Sequence, residues 1–200
     1  MKPLARSFYK RNTVVVAFEL IGKLLVFNQT GELMQGKIVE TEAYLGDQDP
    51  ASHAYRGVTP RNRVMFGFPG VSYIYFTYGN HHCFNIVTEE EHIPGAVLIR
   101  ALEPVSGISI MKKRRGTSSH EALTSGPGKL TQAFGMTREH SGRDLTQDES
   151  FCVAEDKTAD STSDSAIHIQ TAGRIGISTA KSAPYRFYLR NSPFVSVVEK

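Results

Sequence analysis

Residues 72–86, SYIYFTYGNHHCFNI, hold the pattern that decides the fold class. Two strand-like runs flank Gly79 and Asn80, a dipeptide typical of the tight turn in a β-hairpin. A hairpin joins antiparallel neighbours, so the chain is expected to build an antiparallel sheet. Tyr78 stands directly before the turn, where a large ring has little core to enter. Its presence there requires an explanation.

The two faces of this hairpin differ in character. By strand alternation, Tyr73 and Tyr75 share one face, whereas Ile74 and Phe76 share the other. The first face is therefore expected to be a wet or functional side and the second a core side. Ordinary amphipathic strands carry the same pattern, so the hairpin alone leaves both interpretations open.

Other segments supply further elements around the hairpin. Non-sequential strands with helices between them predict an α+β fold in a single domain over residues 1–200: a mixed, curved antiparallel sheet with surrounding helices and a protruding hairpin. Residues 95–104 are nearly all apolar and predict a central strand that Pro104 ends, and Ser125 is the expected N-cap of one helix. Strands are predicted at 37–46, 95–104, 174–179 and 186–198, helices at 12–25, 108–115 and 124–135, and loops at 47–63 and 155–166, the last a variable loop.

Composition indicates a soluble globular chain with a real core. The chain has 200 residues, of which 40% are hydrophobic and 22% charged. It has no apolar run of membrane-spanning length, and its N-terminus does not read as a secretory signal. Cys83 and Cys152 are too few for a disulfide framework, which favours a reducing cytoplasm.

Charge is distributed unevenly along the chain. Residues 100–143 carry eight Lys and Arg against three acids, a difference of +5, and residues 144–164 carry seven acids against one Lys, a difference of −6. The basic run at Lys112–Arg115 fits either a solvated helix end or a surface that faces phosphates. Charge alone does not decide between them.

The stretch VETEAY, residues 39–44, carries two carboxylates. Glu40, Glu42 and Tyr44 alternate onto one face of the predicted strand. A strand rise of roughly 6.5–7 Å between the two glutamates would suit an inverting glycosidase pair. A solvated polar face is the alternative, although a carboxylate beside an aromatic ring in a cleft is also a candidate general base. The opposite face is expected to hold Val39, Thr41 and Ala43.

The adjacent residues His81, His82 and Cys83 do not predict a metal site. Neighbours on a strand point to opposite faces, so these three cannot chelate one ion together. The sequence has no second pair at zinc-ligand spacing. No metal and no cofactor are therefore expected.

Several of these motifs occur together in a known order. VETEAYLG, SHAYRG.TPRNR.MF, YIYFTYG, CFNIV, LIRALEP, SGPGKL, GRDL and RFYLRNSPFVSV follow one another from about residue 5 to 198. Through this ordered set of motifs, the chain resembles the alkyladenine (3-methyladenine) DNA glycosylase family. The resemblance implies a DNA repair enzyme that flips alkylated or deaminated purines out of duplex DNA and hydrolyses their N-glycosidic bond.

The resemblance also assigns roles at the reacting centre. Glu42 matches the general base that activates water, and Arg100 matches the residue that helps hold this water. Glu40 has no matching catalytic position, so the family assignment makes it structural and withdraws the two-carboxylate hypothesis. Four residues match positions that line the pocket for the flipped base: Tyr44, His53, Tyr75 and Asn85. Asn85 matches the residue that would disfavour normal guanine.

Contacts with DNA follow from the same comparison. Tyr78 matches an intercalating wedge, which explains its place at the hairpin tip: DNA would be its packing partner. On charge rather than on resemblance, the candidates for contact with the DNA backbone are Arg61, Lys129 and the Lys112–Arg115 cluster, of which Lys129 is the best placed. Beside the wedge, Asn80 stands where relatives carry an apolar residue, and with His81 and His82 it makes the tip more polar.

The implied enzyme is monofunctional, since no Lys is placed to form a Schiff base. Its expected partner is double-stranded DNA with damaged purines. The protein is expected to be a monomer without membrane association, cytoplasmic and associated with the nucleoid in a bacterium or nuclear in a eukaryote. A minor-groove binding protein without catalysis and a carbohydrate hydrolase built on Glu40 and Glu42 are the competing hypotheses.

A pocket role for both Tyr75 and Asn85 constrains the hairpin register. A two-residue turn at Gly79 and Asn80 would set Tyr75 opposite Phe84 and turn Asn85 away. An odd connection, or a bulge, keeps Tyr75 and Asn85 on one face. We therefore predict an odd connection such as 79–81, with Tyr75 directly opposite Asn85.

Overall fold

The sheet confirms the predicted α+β class. A computed structural model describes residues 1–77, 79–156 and 168–196. Within these ranges eight strands form one curled sheet in the order β3-β4-β5-β2-β1-β6, with β8 paired to β2 and β7 to β8, and every pairing is antiparallel. The strands are β1 Leu24–Gln29, β2 Glu32–Tyr44, β3 Ser72–Thr77, β4 His81–Thr88, β5 Gly95–Ser106, β6 Phe151–Ala154, β7 Ile169–Ala172 and β8 Arg186–Leu189.

Strand β2 organises the sheet because it has three neighbours. One edge pairs with β5 along most of its length, which confirms the central position expected for 95–104. The other edge pairs first with β1 and then, over Glu40–Glu42, with β8. This change of partner along one edge curls the sheet into a half-barrel.

The main hydrophobic core lies between the sheet and four helices of the described residues. The helices are α1 Arg6–Tyr9, α2 Thr13–Glu19, α3 Ile108–Arg115 and α4 Pro127–Phe134. Ile38, Phe84 and Ile99 contribute to this core from the strands, and Leu20 and Phe134 from the helical side. Thr41 donates to the Ala17 carbonyl at 2.8 Å, which fastens β2 to α2.

Two helix boundaries differ from the prediction. The helix expected over 12–25 begins as foreseen, because the Asn12 side chain accepts hydrogen bonds from the Val14 and Val15 amides. It ends at Glu19, and Gly22 (φ +86°) turns the chain, so that Leu24 already belongs to β1. The apolar residues from Leu24 onwards therefore belong to a buried strand rather than to a longer helix.

Helix α4 has the expected Pro127 in its first turn and Gly135 at its C-cap, but Gly126 is the N-cap. The predicted cap, Ser125, instead forms a β-bridge with Ala101, which holds its backbone outside the capping position. Helix α3 covers the predicted residues 108–115.

Several strand predictions were wrong. Strands β1, β6 and β7 were not foreseen, and β5 continues past Pro104 to Ser106. Pro104 lies beside a register shift opposite Gly36, where a missing ladder donor is tolerated. The predicted strand 174–179 is irregular, since the Ile175 amide bonds the side chain of Glu42 rather than another strand. The variable loop predicted at 155–166 lies outside the described residues except for its first two positions.

A bulge at Val39 alters the faces of β2. Ile38 and Glu40 pair with consecutive residues of β5, which leaves Val39 as an extra residue. Ile38 therefore enters the main core, whereas Val39 packs with Ala101 and Phe194 in a separate cluster. The expectation that Val39 shares a face with Thr41 was wrong for this reason.

Glu40 ties four segments together from a fully buried position. Its carboxylate accepts from Arg186 Nε of β8 at 2.7 Å and from Arg100 Nε of β5 at 3.2 Å. Ser196 adds its amide at 2.7 Å and its hydroxyl at 2.9 Å. The alternative of a solvated glutamate face is therefore wrong, and Glu40 is a structural anchor.

We predict that Glu40→Ala lowers the free energy of unfolding by about 3–5 kcal/mol, because it takes a buried carboxylate away from buried cations. Chemical denaturation measures this loss. Glu90→Ala is the control, since the Glu90–Lys10 pair is exposed and such pairs contribute about 0.2–1 kcal/mol. Equal losses in the two variants would contradict the anchoring role.

Candidate active site

A cavity of ≈ 400 Å³ opens between β2, the hairpin, β5 and the segment after β7. Aromatic side chains form much of its wall, and polar groups lie at its rear. Its lining includes five residues predicted from sequence, together with the start of α4 and residues 175–179. These five are Tyr44, His53, Tyr75, Asn85 and Arg100.

Glu42 lies behind this wall and is fully buried. Its Oε1 accepts the Ile175 amide at 2.7 Å, and its Oε2 accepts the Tyr44 hydroxyl at 2.8 Å. Arg100 Nη1 lies 3.3 Å from the same Oε2. All three partners line the cavity, so they connect the carboxylate to it.

The pKa of Glu42 is raised above its ordinary value. Burial is the dominant cause, and the Arg100 charge, the Ile175 amide and the Tyr44 hydroxyl oppose it in that order. A buried carboxylate that keeps an ionic partner and a raised pKa has the character of a general base. Among the described residues, the Ile175 amide is the donor to Oε1, so this oxygen can accept one further proton donor.

Glu40 and Glu42 are not equivalent. Four hydrogen bonds reach Glu40, three on Oε1 and one on Oε2. Among these donors only Arg100 lines the cavity, whereas all three groups in contact with Glu42 do. This geometry disfavours the paired-carboxylate hypothesis and agrees with a structural Glu40.

Three rings meet at the cavity mouth. The rings of His53 and Tyr75 lie edge to face at 4.5 Å, and Tyr73 lies 5.4 Å from Tyr75. Tyr73 also places its hydroxyl 2.9 Å from His53 Nδ1. Tyr73 was not assigned to the site from sequence, although its alternation with Tyr75 was the signal that could have identified it.

The surroundings of His53 disfavour its charged form. Partial burial, followed by the charge of Arg61, lowers its pKa to about 4. His53 is exposed at the mouth, so solvent moderates the shift, but the direction favours the uncharged form at neutral pH. The aromatic mouth therefore carries no charge from His53.

The hairpin register agrees in part with the prediction. Thr77 pairs with His81, so residues 78–80 form an odd connection rather than a two-residue turn. Tyr75 lies opposite Cys83, and Asn85 lies opposite Tyr73, so the predicted direct Tyr75–Asn85 pair was wrong.

The two pocket residues nevertheless share one face. Asn85 is buried and donates its Nδ2 to the Tyr73 carbonyl at 3.0 Å, which fixes its amide in the cavity wall. Cys83, also in the wall, was not assigned to the site from sequence. Tyr78 lies outside the described residues, so its wedge role stays a prediction.

The candidate backbone contacts lie near the cavity. Arg61 is exposed and places its guanidinium 5.0 Å from the Tyr75 ring centre. Lys129 is exposed in the first turn of α4, the helix whose Pro127 lines the cavity. In the basic run 112–115, Arg114 donates to the Phe134 carbonyl at 2.7 Å, so part of this run joins α3 to α4.

Arg174 is a further functional candidate that sequence reasoning did not find. It is fully buried beside the cavity and pairs with Asp49, which lies 125 positions earlier in the chain. No local pattern could connect residues so far apart.

Over residues 1–77, 79–156 and 168–196, no three His, Cys, Asp or Glu side chains lie together as metal ligands would. No helix in the same ranges has the length and apolar character needed to cross a bilayer.

Comparison with known proteins gives consistent matches. The profile of the family described as Methylpurine-DNA glycosylase (MPG) matches residues 7–193. A protein of Chlorobium luteolum named "Putative 3-methyladenine DNA glycosylase" is 49% identical over 98% of this chain and 97% of its own length. Proteins of the same name from Chlorobaculum tepidum and Carboxydothermus hydrogenoformans are 48% and 49% identical, over 98% and 96% of this chain and 91% and 98% of their own lengths.

We predict that Tyr44→Phe raises the pKa of Glu42 further, because the hydroxyl that stabilises the charged carboxylate is lost. Carbon-13 NMR of the labelled Glu42 carboxyl measures the change. Tyr73→Phe is the matched control, since Tyr73 bonds His53 and not Glu42. A pKa that stays constant or falls in Tyr44→Phe would show that this hydrogen bond does not stabilise the anion.

Proposed function

The chain belongs to the methylpurine-DNA glycosylase family, and we propose that it releases alkylated and deaminated purines from duplex DNA with Glu42 as general base. Membership supports a DNA glycosylase of base excision repair. The observation that carries the finer proposal is the buried Glu42 carboxylate, reached from an aromatic cavity through Tyr44, Arg100 and Ile175.

The cavity suits a flipped purine. A base inside the duplex stack cannot be reached, so it must leave the helix before the reaction. Tyr44, Tyr75 and His53 would enclose it with ring faces and edges. Alkylated purines are often cationic, and aromatic faces attract cations through the ring quadrupole. A neutral His53 adds no repulsion to such a base.

The reaction that we propose is hydrolysis at C1′. A water molecule held by Arg100 gives a proton to Glu42, and its oxygen bonds to C1′ while the bond from C1′ to the purine nitrogen breaks. The bonding electrons leave with the base, so a cationic purine departs as a neutral molecule. An abasic site remains in the strand.

A neutral lesion such as hypoxanthine needs an added proton as it leaves. No Lys appears in the cavity lining formed by the described residues. That lining favours a water nucleophile, and hence a monofunctional enzyme, over a Schiff base.

DNA would approach the cavity mouth. We propose that Tyr78 fills the gap left by the flipped base, as inserted side chains do in minor-groove proteins. Arg61 and Lys129, exposed on two sides of the cavity, would contact phosphates. The first turn of α4 adds backbone amides beside Lys129. Because the relatives are bacterial, we place the protein in the cytoplasm with the chromosome. We further propose that it acts as a monomer.

The competing functions are less well supported. A carbohydrate hydrolase would need Glu40 as its second carboxylate, whereas the bonds from Arg100, Arg186 and Ser196 favour a structural role for it. A binding protein without catalysis would not need a buried carboxylate whose three partners all line the cavity.

We predict that Glu42→Gln abolishes base release from a duplex with a cationic lesion and leaves damaged-DNA binding intact, because the amide keeps the shape but not the basicity. Single-turnover base release and fluorescence anisotropy measure the two properties. Only the Glu42 anion can act as the base, so base release by the parent protein should decline as the pH falls towards the Glu42 pKa. Because this pKa is raised, the decline should set in at a pH above 4.5, the ordinary pKa of a glutamate carboxyl. Release by Glu42→Gln within about tenfold of the parent would refute the general-base role, which typically contributes 10²–10⁴-fold.

We predict that Asn85→Ser increases release of normal guanine, because the smaller side chain opens room for the exocyclic amino group. Release from undamaged duplexes, with a cationic lesion as the internal control, measures this change. Unchanged guanine release with intact lesion excision would refute the selectivity role alone.

A further inference from the structure

Arg174 has an unusual set of contacts for a residue outside the strands. Its side chain is fully buried, and both terminal nitrogens reach Asp49, with Nη2 to Oδ1 at 2.8 Å. Nη1 also donates to the Ala43 carbonyl at 2.8 Å. The guanidinium carbon lies 4.7 Å from the Tyr44 ring centre and 5.3 Å from that of Tyr185.

These contacts surround Glu42 without touching it. Ala43, whose carbonyl Arg174 holds, stands between Glu42 and Tyr44 in β2. The next residue after Arg174 is Ile175, whose amide donates to Glu42 Oε1. Fixing Arg174 thus fixes the amide on one carboxylate oxygen and the ring whose hydroxyl bonds the other.

Asp49 anchors the arrangement to the loop at the cavity mouth. Its carboxylate also accepts the Leu45 amide at 3.2 Å and the Ala51 amide at 3.1 Å. Ala51 and His53, in the same loop, line the cavity. The Asp49–Arg174 pair therefore joins this loop to the rear of the cavity.

We propose that the Asp49–Arg174 ion pair is the positioning device of the Glu42 site, which aims Oε1 through the Ile175 amide and Oε2 through the Tyr44 hydroxyl. The inference rests on the proposed function, since it gives this pair a role in the same reaction. Arg174 acts through other groups and is a positioning residue.

A positioning role has a signature in the pH dependence. The groups that face Glu42 are Glu40 and Tyr44 from β2, Arg100 from β5, Cys83 from β4, Arg186 from β8 and Arg174 from the segment after β7. The Ile175 amide lowers the pKa of Glu42. Displacing this amide raises that pKa, so the acid side of the rate profile moves to higher pH.

The test is Arg174→Lys, which keeps the charge but loses the planar fork that holds Asp49 and Ala43 together. Base release at neutral pH should fall by up to about 10²-fold, the effect of a misplacement of about 1 Å at a reacting centre. The acid side of the rate profile (its acid limb) should move to higher pH. The affinity for a duplex with a 2′-fluoro lesion nucleotide, which resists cleavage, should stay unchanged. Arg6→Lys is the matched control, because Arg6 forms its ion pair with Asp144 away from the cavity.

Asp49→Glu, which keeps the charge but changes the reach of the carboxylate, tests the same pair if Arg174→Lys does not fold, and it should shift the acid side of the rate profile in the same direction. A folded Arg174→Lys or Asp49→Glu protein whose acid side coincides with that of the parent would overturn the inference. Glu42→Gln, assayed in parallel, distinguishes a failure of the proposed function from a failure of the positioning role. If it stays active, the proposed function fails; if it is inactive while the limb does not move, only the positioning role fails.

Discussion

The structure depends on the burial of two carboxylates on one strand. Glu40 and Glu42 of β2 are both fully buried, and an ionised carboxylate is costly to remove from water unless cations and hydrogen bonds replace its hydration. The donors come from elements far apart in sequence: Arg100 in β5, Arg186 in β8 and Ile175 after β7. The half-barrel brings these elements together around β2, so the sheet's curl and the site's electrostatics share one cause.

Two glutamates in neighbouring positions of one face acquire different roles through their partners. Among the groups bonded to Glu40 only Arg100 lines the cavity, whereas Tyr44, Arg100 and Ile175, which contact Glu42, all line it. Glu40 therefore stabilises the fold, and Glu42 is the carboxylate that the cavity reaches. Burial raises the pKa of Glu42, which is the direction that our proposed proton transfer from water requires.

The sequence identified features whose causes are local. The hairpin, the central strand at 95–104 and the helix at 108–115 follow from turn residues and apolar runs. The end of α2 was missed because Leu24 continues a helical spacing although Gly22 has already turned the chain. The face of Val39 was missed because one extra residue reversed the alternation. The roles of Glu42, Tyr44 and Asn85 came from family resemblance, and Arg174 escaped detection because its partner, Asp49, is distant in sequence.

The length of the hairpin connection links local geometry to selectivity. Side chains alternate with a period of two, so a slip of one residue transfers a whole strand face to the opposite side. With three residues between Thr77 and His81, Tyr75 and Asn85 face the same cavity. A two-residue turn would present Phe84 in their place and remove the amide that we assign to guanine exclusion. The local Gly-Asn signal favoured that turn, and the structure departs from it at the point where the proposed function needs an odd count. The departure from local preference gives the register that the proposed pocket requires.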